Sequence, residues 1–469
     1  MLVNFSVTNF LSFNQKTTFK MESGRVTKKL DHRLLDSETG KSLLKFSAMF
    51  GKNGAGKTNF IRAMAVLRGF VLAGKLPQRA PALYCKINEE NESKPTDFEI
   101  TFIADKNLYE YKISIVLSTG IITKEELVHV VGNRHTKIFY KENAESPYIF
   151  HHSIKGQNKD IEVLSRTFAM SGKPFLFSIN HNTAGFYATN PQAIVLQKSF
   201  LWFKDTLEVI FPDQPLQETS LLQYEICKDE FAQLLKDFDT GIEEIKLEPV
   251  SKEKVFETLD LRTQQKLNIE MAFVSPLAQI AQLPAPLGLA QNTQIQKKNF
   301  YSTVIRGRRN IFIITLEKDG AFHFYAIKFV HNLGGKKIEF SMESESDGTH
   351  RLFQLLEILI SKKEKVYIMD EINRSLHPKL TVQFVKKYFA NAKKRRIQLV
   401  TTTHESRIMS HDLVRRDEIW IADKNDDDST KLFSLEDEQV RIDKVLDQNY
   451  MDNVWGGVPV FEDEEEESK

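Results

Sequence analysis

The feature that most constrains this chain is a glycine-rich segment, Gly51-Lys-Asn-Gly-Ala-Gly-Lys-Thr58, which fits the pattern G-x-x-x-x-G-K-[ST] in full. An apolar run from Lys45 to Phe50 precedes it and predicts a strand. Apolar residues at helical spacing from Asn59 to about Ala73 predict a helix directly after it. Glycines allow a backbone turn that aims successive N–H groups inward at the positive end of that helix. The segment therefore predicts a phosphate-binding loop between a strand and a helix.

Each part of this loop has a predicted role. The backbone N–H groups form a cradle for phosphate oxygens, the Lys57 ammonium reaches the β- and γ-phosphates, and the Thr58 hydroxyl is a ligand for Mg²⁺. The residues predicted to bind nucleotide here are Gly51, Asn53, Gly54, Ala55, Gly56, Lys57 and Thr58.

A second segment supplies carboxylates. The apolar run from Lys365 to Met369 predicts a buried strand, and it ends in Asp370 and Glu371. In a chain that already carries a phosphate-binding loop, this pattern is typical of a Walker B strand. Asp370 is predicted to complete the Mg²⁺ shell. Glu371 is predicted to orient or deprotonate the attacking water, because phosphoryl transfer needs a positioned nucleophile.

Two further segments are interpreted from their position in the chain relative to the carboxylate strand. Ser346-Asp-Gly348 lies directly before an amphipathic helix predicted from Arg351 to Ile360. Alone it is a good turn and N-cap, but ahead of the carboxylate strand it favours a second anion site at a helix N-terminus. His404 follows a strand predicted from Ile397 to Val400. A lone histidine at a strand end is usually structural, but the order of the segments makes His404 a candidate γ-phosphate contact.

These four segments, in this order, resemble the nucleotide-binding heads of ABC-type ATPases, in the branch that contains the SMC, RecF and OLD-like proteins. The resemblance implies an α/β fold, an ABC-type P-loop ATPase head with a mixed sheet and helices, that binds and hydrolyses ATP with Mg²⁺. It implies catalytic roles for Glu371 and His404, metal ligation by Thr58 and Asp370, and a signature motif that includes Ser346, Gly348 and Arg351.

The chain departs from the ABC pattern at two positions. Asp347 replaces the first glycine of the usual Leu-Ser-Gly-Gly-Gln signature. In the segment that corresponds to the D-loop, Arg374 to His377, a histidine stands in place of the usual aspartate. The same replacement occurs in OLD-like relatives.

A narrower resemblance is carried by both ends of the chain. The segments Asn9–Phe13, Glu345–Thr349, Asp370–Pro378 and Tyr450–Pro459 are similar to AAA-type ATPase subunits of bacterial phage-defence modules, in PARIS-like, AbiL-like and other abortive-infection systems. Such subunits accompany a separately encoded nuclease. The resemblance implies a separately encoded effector, a phage trigger protein and a cytoplasmic location. It is weak between residues 150 and 300.

The order of the segments predicts the domain organisation. Residues 1–150 form the first part of the ATPase head, 151–300 a mostly helical insert, 301–460 the second part of the head and 461–469 an acidic tail. Helices are predicted within the insert from Gln197 to Phe211 and from Asp229 to Phe238. A segment rich in proline, glycine and glutamine, 282–296, predicts a loop or linker within the insert. Six consecutive acidic residues, 462–467, predict a solvated end.

Composition excludes several classes of protein. Lys and Arg number 64 against 63 Asp and Glu, and 41% of residues are hydrophobic, which excludes a disordered chain and a basic protein that coats nucleic acid. Two cysteines, Cys85 and Cys227, exclude a disulfide scaffold and a four-cysteine zinc module. The sequence shows neither a signal peptide nor an apolar run long enough for a membrane span, so no membrane partner is expected.

In ABC-type heads, the signature of one subunit caps the γ-phosphate bound by the Walker A loop of another. The resemblance therefore implies a head-to-tail homodimer, or a higher homo-oligomer. Only 65 residues follow His404, too few for the TOPRIM nuclease of OLD-like proteins, so a nuclease is expected to be a separate polypeptide.

Two other functions are weighed against this one. A RecF-like DNA repair or recombination ATPase would clamp DNA, and the basic clusters 306–309, 335–337 and 393–396 are its candidate nucleic-acid contacts. Solvated charge is the plainer interpretation of these clusters. An ABC transporter ATPase fits badly, because the N-terminal strands match SMC-like heads and the insert is long.

Overall fold

The computed structural model describes residues 1–26, 28–155, 159–181, 185–212, 224–281, 301–306, 310–317, 320–437 and 446–459. The predicted linker 282–296 and the acidic tail 461–469 lie outside these ranges. The chain divides into two compact units. The first unit consists of Met1–Gln214, Lys362–Asn373 and Val385–Lys469, and the second of Pro215–Ser361 and Arg374–Phe384. The predicted insert 151–300 is thus shared between the two units.

The strands and helices are numbered in chain order. The strands are β1 (Leu2–Thr8), β2 (Thr17–Lys20), β3 (Arg33–Leu35), β4 (Ser42–Leu44), β5 (Phe46–Phe50), β6 (Thr96–Ala104), β7 (Asn107–Val116), β8 (Ile121–Val131), β9 (Arg134–Lys141), β10 (Ile149–Phe150), β11 (Leu207–Ile210), β12 (Ile242–Val250), β13 (Tyr301–Arg306), β14 (Ile311–Leu316), β15 (Phe322–Leu333), β16 (Lys336–Ser341), β17 (Lys365–Met369), β18 (Ile397–Thr402), β19 (Ile419–Lys424) and β20 (Thr430–Ser434). The helices are α1 (Lys57–Ala73), α2 (His152–Lys155), α3 (Lys159–Ala169), α4 (Phe175–His181), α5 (Phe186–Thr189), α6 (Ile194–Leu201), α7 (Tyr224–Asp237), α8 (Lys252–Thr258), α9 (Leu261–Ala281), α10 (Asp347–Ile360), α11 (Pro378–Ala392) and α12 (Leu446–Met451).

The first unit contains two large sheets with α1 between them. One sheet is antiparallel, in the order β10-β9-β8-β7-β6-β1-β2, and the other is mixed, in the order β11-β17-β18-β5-β19-β20. The Phe60 ring of α1 lies 5.5 Å from the ring of Phe5 and 5.2 Å from that of Phe19. Phe19 in turn lies 4.8 Å from Trp420 in β19. The apolar side chains of α1 thus join both sheets into one hydrophobic core.

The mixed sheet determines where chemistry can occur. Strands β11, β17, β18, β5 and β19 run parallel, and β5, β17 and β18 are buried at every residue. Burial on both faces explains their continuous apolar sequences. Parallel strands deliver the residues that follow them to one edge of the sheet, where ligands bind in open α/β sheets.

One predicted element has to be corrected. The sequence predicts a helix from Gln197 to Phe211, but α6 ends at Leu201, a π-helical turn covers Trp202–Thr206, and β11 follows. The run Leu207-Glu-Val-Ile210 is short and apolar, and periodicity alone cannot distinguish such a run from a helical segment. Because β11 pairs in parallel with β17, part of the predicted insert completes the sheet beside the carboxylate strand.

The second unit has its own antiparallel sheet, β12-β15-β14-β13, with β16 paired to β15. Helix α10 packs on this sheet and on α7. The Phe353 ring of α10 lies 5.1 Å from Phe231 in α7 and 5.7 Å from Phe329 in β15. This packing fixes the helix that carries the predicted signature motif. In the described part of the chain, no helix has both the length and the apolar character needed to cross a bilayer.

A buried carboxylate attaches α4 to the antiparallel sheet of the first unit. Glu125 in β8 is fully buried and accepts hydrogen bonds from the Tyr111 hydroxyl (2.9 Å), the Tyr148 hydroxyl (2.5 Å) and the Phe175 N–H (3.0 Å). Burial raises the pKa of Glu125, while these donors oppose that change. Glu126, the next residue, points to the opposite face and lies 3.4 Å from Lys112 and 3.0 Å from Lys137.

This pair of neighbours gives a test of what holds the first unit together. Glu125→Ala leaves three buried donors without their acceptor, so we expect the free energy of unfolding to fall by about 3 kcal/mol. Glu126→Ala removes only surface ion pairs and should cost less than about 1 kcal/mol. Urea denaturation followed by circular dichroism measures both. Equal losses for the two variants would contradict a structural role for Glu125.

Candidate nucleotide-binding site

The predicted phosphate-binding loop lies between β5 and α1. Gly51, Gly54 and Gly56 have φ values of 149°, 78° and 104°, a region that favours glycine. A Cβ atom on Gly51 would lie 2.2 Å from the Ala422 carbonyl oxygen, and one on Gly56 would lie 2.0 Å from the Thr430 Oγ1. Both positions therefore require glycine for space as well as for conformation. Asn53 and Gly54 lie on the exposed side of the loop, where a ligand would approach.

The Lys57 ammonium is held by the loop itself. Its Nζ donates hydrogen bonds to the carbonyl oxygens of Gly51 (2.6 Å) and Lys52 (3.1 Å), and the residue is 7% exposed. Burial lowers the pKa of Lys57 to about 8, although the carboxylates of Asp370 and Glu371 act in the opposite direction. A phosphate group would give this cation a better partner than two neutral carbonyls.

Asp370 lies at the carboxyl end of β17, where it faces the loop. Its Oδ1 lies 3.3 Å from the Thr58 Oγ1 and accepts a hydrogen bond of 2.6 Å from the Thr402 Oγ1. One carboxylate and one hydroxyl are a suitable protein contribution for Mg²⁺, which binds oxygen ligands and retains waters and phosphate oxygens for the rest of its shell. The donor set therefore fits the predicted metal. No group of three His, Cys, Asp or Glu side chains that could hold a metal occurs among the described residues.

Thr402 also fixes the backbone of the residue that bears the second carboxylate. The Glu371 N–H donates to the Thr402 Oγ1 (2.8 Å), and the Ile372 N–H donates to the Thr402 carbonyl oxygen (3.1 Å). Glu371 has a φ of 49°, in the left-handed region, so the chain turns sharply at this residue. The sequence prediction did not include Thr402. In the sequence, Thr402 is marked only by its place in the Thr-Thr-Thr run at the end of β18.

His404 lies within electrostatic reach of the same groups. Partial burial and then the Lys57 charge lower the pKa of His404, while Asp370 opposes them. Asn373 fixes the backbone here, because its Oδ1 accepts hydrogen bonds from the Thr403 Oγ1 (3.0 Å) and the His404 N–H (3.4 Å). The structure therefore brings Lys57, Asp370 and His404 together.

A link to the N-terminal segment was not foreseen from the sequence. The Thr430 N–H donates to the Ser12 carbonyl oxygen (2.7 Å), and the Thr430 hydroxyl is hydrogen-bonded to the Ala55 carbonyl oxygen (2.9 Å). The Asn59 Nδ2 donates to the Ser12 Oγ (2.9 Å). The segment Asn9–Phe13, which carries part of the resemblance to phage-defence ATPase subunits, thus supports the phosphate-binding loop.

The predicted signature residues belong to the second unit. Ser346 is exposed and caps α10, because its Oγ accepts a hydrogen bond from the Thr349 N–H (3.1 Å). A Cβ on Gly348 would lie 2.9 Å from the Ser375 carbonyl oxygen, so the predicted D-loop backbone packs directly on this glycine. Arg351, assigned to the signature by resemblance, is 5% exposed within α10.

His377 has a local structural role in the second unit. Its Nδ1 accepts a hydrogen bond from the Lys379 N–H (3.2 Å), and its carbonyl oxygen accepts one from the Leu380 N–H (2.8 Å). These bonds cap the first turn of α11. A histidine that replaces the usual D-loop aspartate can therefore serve as a helix cap.

The fold and the site together define a class of protein. The phosphate-binding loop follows β5, the two carboxylates follow β17, and β18 lies between these strands and leads to His404. This is the fold of an ABC-type P-loop ATPase, as the sequence predicted. The chain belongs to the family described as "AAA domain, putative AbiEii toxin, Type IV TA system", which matches residues 46–147 and 224–410.

Other comparisons give distant similarity. No curated protein matches the chain. The structure is similar to that of an SmcHead bound to the C-winged helix domain of ScpA, with 13% identity, coverage of 94% of this chain and 99% of that one, and a TM-score of 0.40. It is also similar to the SMC head domain from Thermotoga maritima (11% identity, coverage 92% and 98%, TM-score 0.32). A third similar structure is the Smc head domain with an extended coiled coil bound to the C-terminal domain of ScpA, derived from Pyrococcus furiosus (14% identity, coverage 93% and 97%, TM-score 0.35).

The basic clusters are partly neutralised. Lys393 lies 3.3 Å from Asp31, and Arg396 lies 2.9 Å from Asp36 and 2.8 Å from Glu364. These ion pairs reduce the positive charge that the cluster 393–396 offers to a nucleic acid. Lys337, in the second unit, lies 3.7 Å from Glu244. In the cluster 306–309, residues 307–309 lie outside the described residues.

The depressed pKa of Lys57 predicts a pH dependence. Its charge is present below a pH of about 8 and is lost above it, so we expect nucleotide affinity to fall about tenfold between pH 7 and pH 9. Because a bound phosphate favours the ammonium form, binding should also take up protons in this range. Isothermal titration calorimetry in two buffers of different ionisation enthalpy measures both quantities. Thr58→Ser, which leaves Lys57 in place, should keep the same slope, and a constant affinity in the unmodified protein would contradict the assignment.

Proposed function

We propose that this chain binds and hydrolyses ATP with Mg²⁺, dimerises head to tail around the nucleotide, and thereby controls a separately encoded effector in antiphage defence. The observation that carries the proposal is the convergence of Lys57, Asp370, Glu371 and His404 at one edge of the mixed sheet. Family membership supports the ATPase function, because the matched family is an AAA domain.

The residues of the first unit can perform each part of phosphoryl transfer. The loop N–H groups and Lys57 bind the phosphates, and Lys57 exchanges the Gly51 and Lys52 carbonyls for phosphate oxygens as it does so. Thr58 and Asp370 would hold Mg²⁺, which when bound neutralises charge on the phosphate oxygens. Glu371, fixed through its backbone to Thr402, accepts the proton of the attacking water.

The second unit supports the dimer. Ser346 caps the N-terminus of the 14-residue helix α10 and is exposed to solvent, so the positive end of this helix is accessible to another molecule. A γ-phosphate held by only one loop lacks donors on its far side. The α10 N-terminus of a second copy would supply them, so that nucleotide joins two heads and hydrolysis separates them.

The effector is proposed on the family relationship and on the resemblance at both ends of the chain. The description of the matched family reads "putative AbiEii toxin, Type IV TA system" and refers to the matched domain itself, so it supports a place in such a system. The separate effector is proposed because the sequence resembles ATPase subunits that accompany a nuclease. A separate nuclease and a phage trigger protein are therefore the proposed partners, in the cytoplasm. Cleavage of DNA or tRNA by the purified chain with Mg²⁺ that survives Lys57→Ala would contradict a separate nuclease.

The first test separates hydrolysis from dimerisation. Glu371→Gln keeps the side-chain volume but removes the base, so we expect ATP hydrolysis to fall by about 100-fold or more. The variant should accumulate as a dimer when ATP is added, measured by light scattering after gel filtration. Lys57→Ala provides the control, since its oligomeric state should not change when ATP is added. A Glu371→Gln chain that binds ATP yet stays monomeric would contradict the proposed dimer.

Mixing two inactive variants tests the head-to-tail arrangement directly. Ser346→Arg blocks the signature, and Lys57→Ala blocks the loop, so each variant alone should be inactive. In a mixed dimer, the intact loop of the first variant faces the intact signature of the second, and we expect statistical mixing to restore up to about a quarter of the hydrolysis per subunit.

The matched control for that experiment combines Lys57→Ala with Glu371→Gln. Both residues belong to the same half of each composite site, so every site in this mixture carries one defect and hydrolysis should not recover. Recovery in both mixtures, or in neither, would rule out an active site shared in this way.

A further inference from the structure

One segment singled out in the sequence has no role in the mechanism above. It is the C-terminal strap, defined here as residues 446–459, which comprises α12 and the turns up to Pro459. The motif Tyr450–Pro459 lies within it. The strap packs against the start of the phosphate-binding loop, on residues of the first unit, through Tyr450, Gly456 and Gly457.

Tyr450 packs the strap against the strand that leads into the loop. Its side chain is buried (6% exposed), and its ring lies 5.8 Å from that of Phe50, the last residue of β5. The Tyr450 hydroxyl donates a hydrogen bond to the Gly457 carbonyl oxygen (3.1 Å). The hydroxyl thus holds Gly457, the strap residue that packs on the loop.

The two glycines of the strap allow this close approach. Gly457 has a φ of 83°, and a Cβ on it would lie 3.3 Å from the Gly51 Cα and 3.1 Å from the Ile421 Cγ2. A Cβ on Gly456 would lie 2.2 Å from the Asp423 Oδ2. Asp423 in turn lies 3.6 Å from the Lys52 Nζ. The strap therefore contacts Gly51 directly and Lys52 through Asp423.

These are the two residues whose carbonyl oxygens hold the Lys57 ammonium. We propose that Tyr450 is a positioning residue for nucleotide binding: its hydroxyl holds Gly457 against the Gly51 backbone, so that the loop keeps its shape when Lys57 leaves the Gly51 carbonyl for a phosphate. The proposal rests on the nucleotide-binding function proposed above. It also makes the strap sensitive to occupancy of the site, because Gly51 packs against Gly457 of the strap and is hydrogen-bonded to Lys57.

The test compares two buried tyrosines that differ in location. Tyr388 is 1% exposed and donates to the Lys45 carbonyl oxygen (2.7 Å), just before β5 and at the end of that strand opposite to the loop. Tyr450→Phe and Tyr388→Phe each remove one hydroxyl that binds backbone, so both should lower the melting temperature. Only Tyr450→Phe should weaken binding of a non-hydrolysable ATP analogue, by about 3- to 10-fold, and it should raise KM more than it lowers kcat.

A second pair of variants keeps the test independent of the tyrosine ring. Gly457→Ala pushes the strap away from Gly51 and should weaken analogue binding in the same way. Met451→Ala changes a strap side chain that is 58% exposed and should leave binding unaltered. In the unmodified chain, hydrogen exchange of the amides in 450–457 should change when the analogue binds, and this measurement requires no variant.

The outcomes separate the two proposals. If the unmodified chain binds the analogue and Lys57→Ala does not, nucleotide binding stands. The role of the strap alone would then be overturned by either of two results. One is that Tyr450→Phe and Gly457→Ala bind the analogue with the affinity of the unmodified chain. The other is that the exchange of the strap amides does not change when the analogue binds. If the unmodified chain binds no nucleotide, both proposals fail.

Discussion

The site depends on a buried ammonium group that is hydrogen-bonded to two backbone carbonyls. Lys57 is 7% exposed and bonded to the Gly51 and Lys52 carbonyls, and burial lowers its pKa to about 8 despite two nearby carboxylates. A cation in this position is poorly solvated, so a polyanion that enters the loop gains more from it than from an exposed lysine. The surrounding glycines, the carboxylate strand and the C-terminal strap are all arranged around that one group.

The positions of the carboxylates depend on a residue that has no charge. Thr402, at the end of β18, donates its hydroxyl proton to Asp370 and accepts the Glu371 N–H on the same oxygen. Because β18 lies between β5 and β17, this single side chain holds both the Asp370 carboxylate and the Glu371 backbone. Fixed geometry of this kind matters for phosphoryl transfer, in which positioning and electrostatic stabilisation supply almost all of the rate enhancement.

Sequence alone predicted the parts of the site that are local in the chain. The loop and β17 follow from spacing and hydrophobic pattern, and the resemblance of their order to ABC-type heads implied the correct fold class. Residues that reach the site by long-range packing carried no such signal. Ser12 contacts Thr430, and Gly457 packs on Gly51, across most of the chain length, and neither pair has a motif that describes it. Strand β11 was mistaken for helix because its four residues show no distinguishing period.

The signature segment of the second unit also depends on a close backbone contact. Gly348 admits the Ser375 carbonyl oxygen at a distance that a Cβ would obstruct, and Ser375 itself has a φ of 60°. Glu371, which precedes Ser375 closely in the sequence, also has a positive φ, of 49°. Residues with a side chain rarely adopt this backbone conformation, so neighbouring contacts must hold it in place at both residues. Gly348 provides for Ser375 by leaving room for its carbonyl oxygen, and Thr402 provides for Glu371 by accepting a hydrogen bond from its N–H.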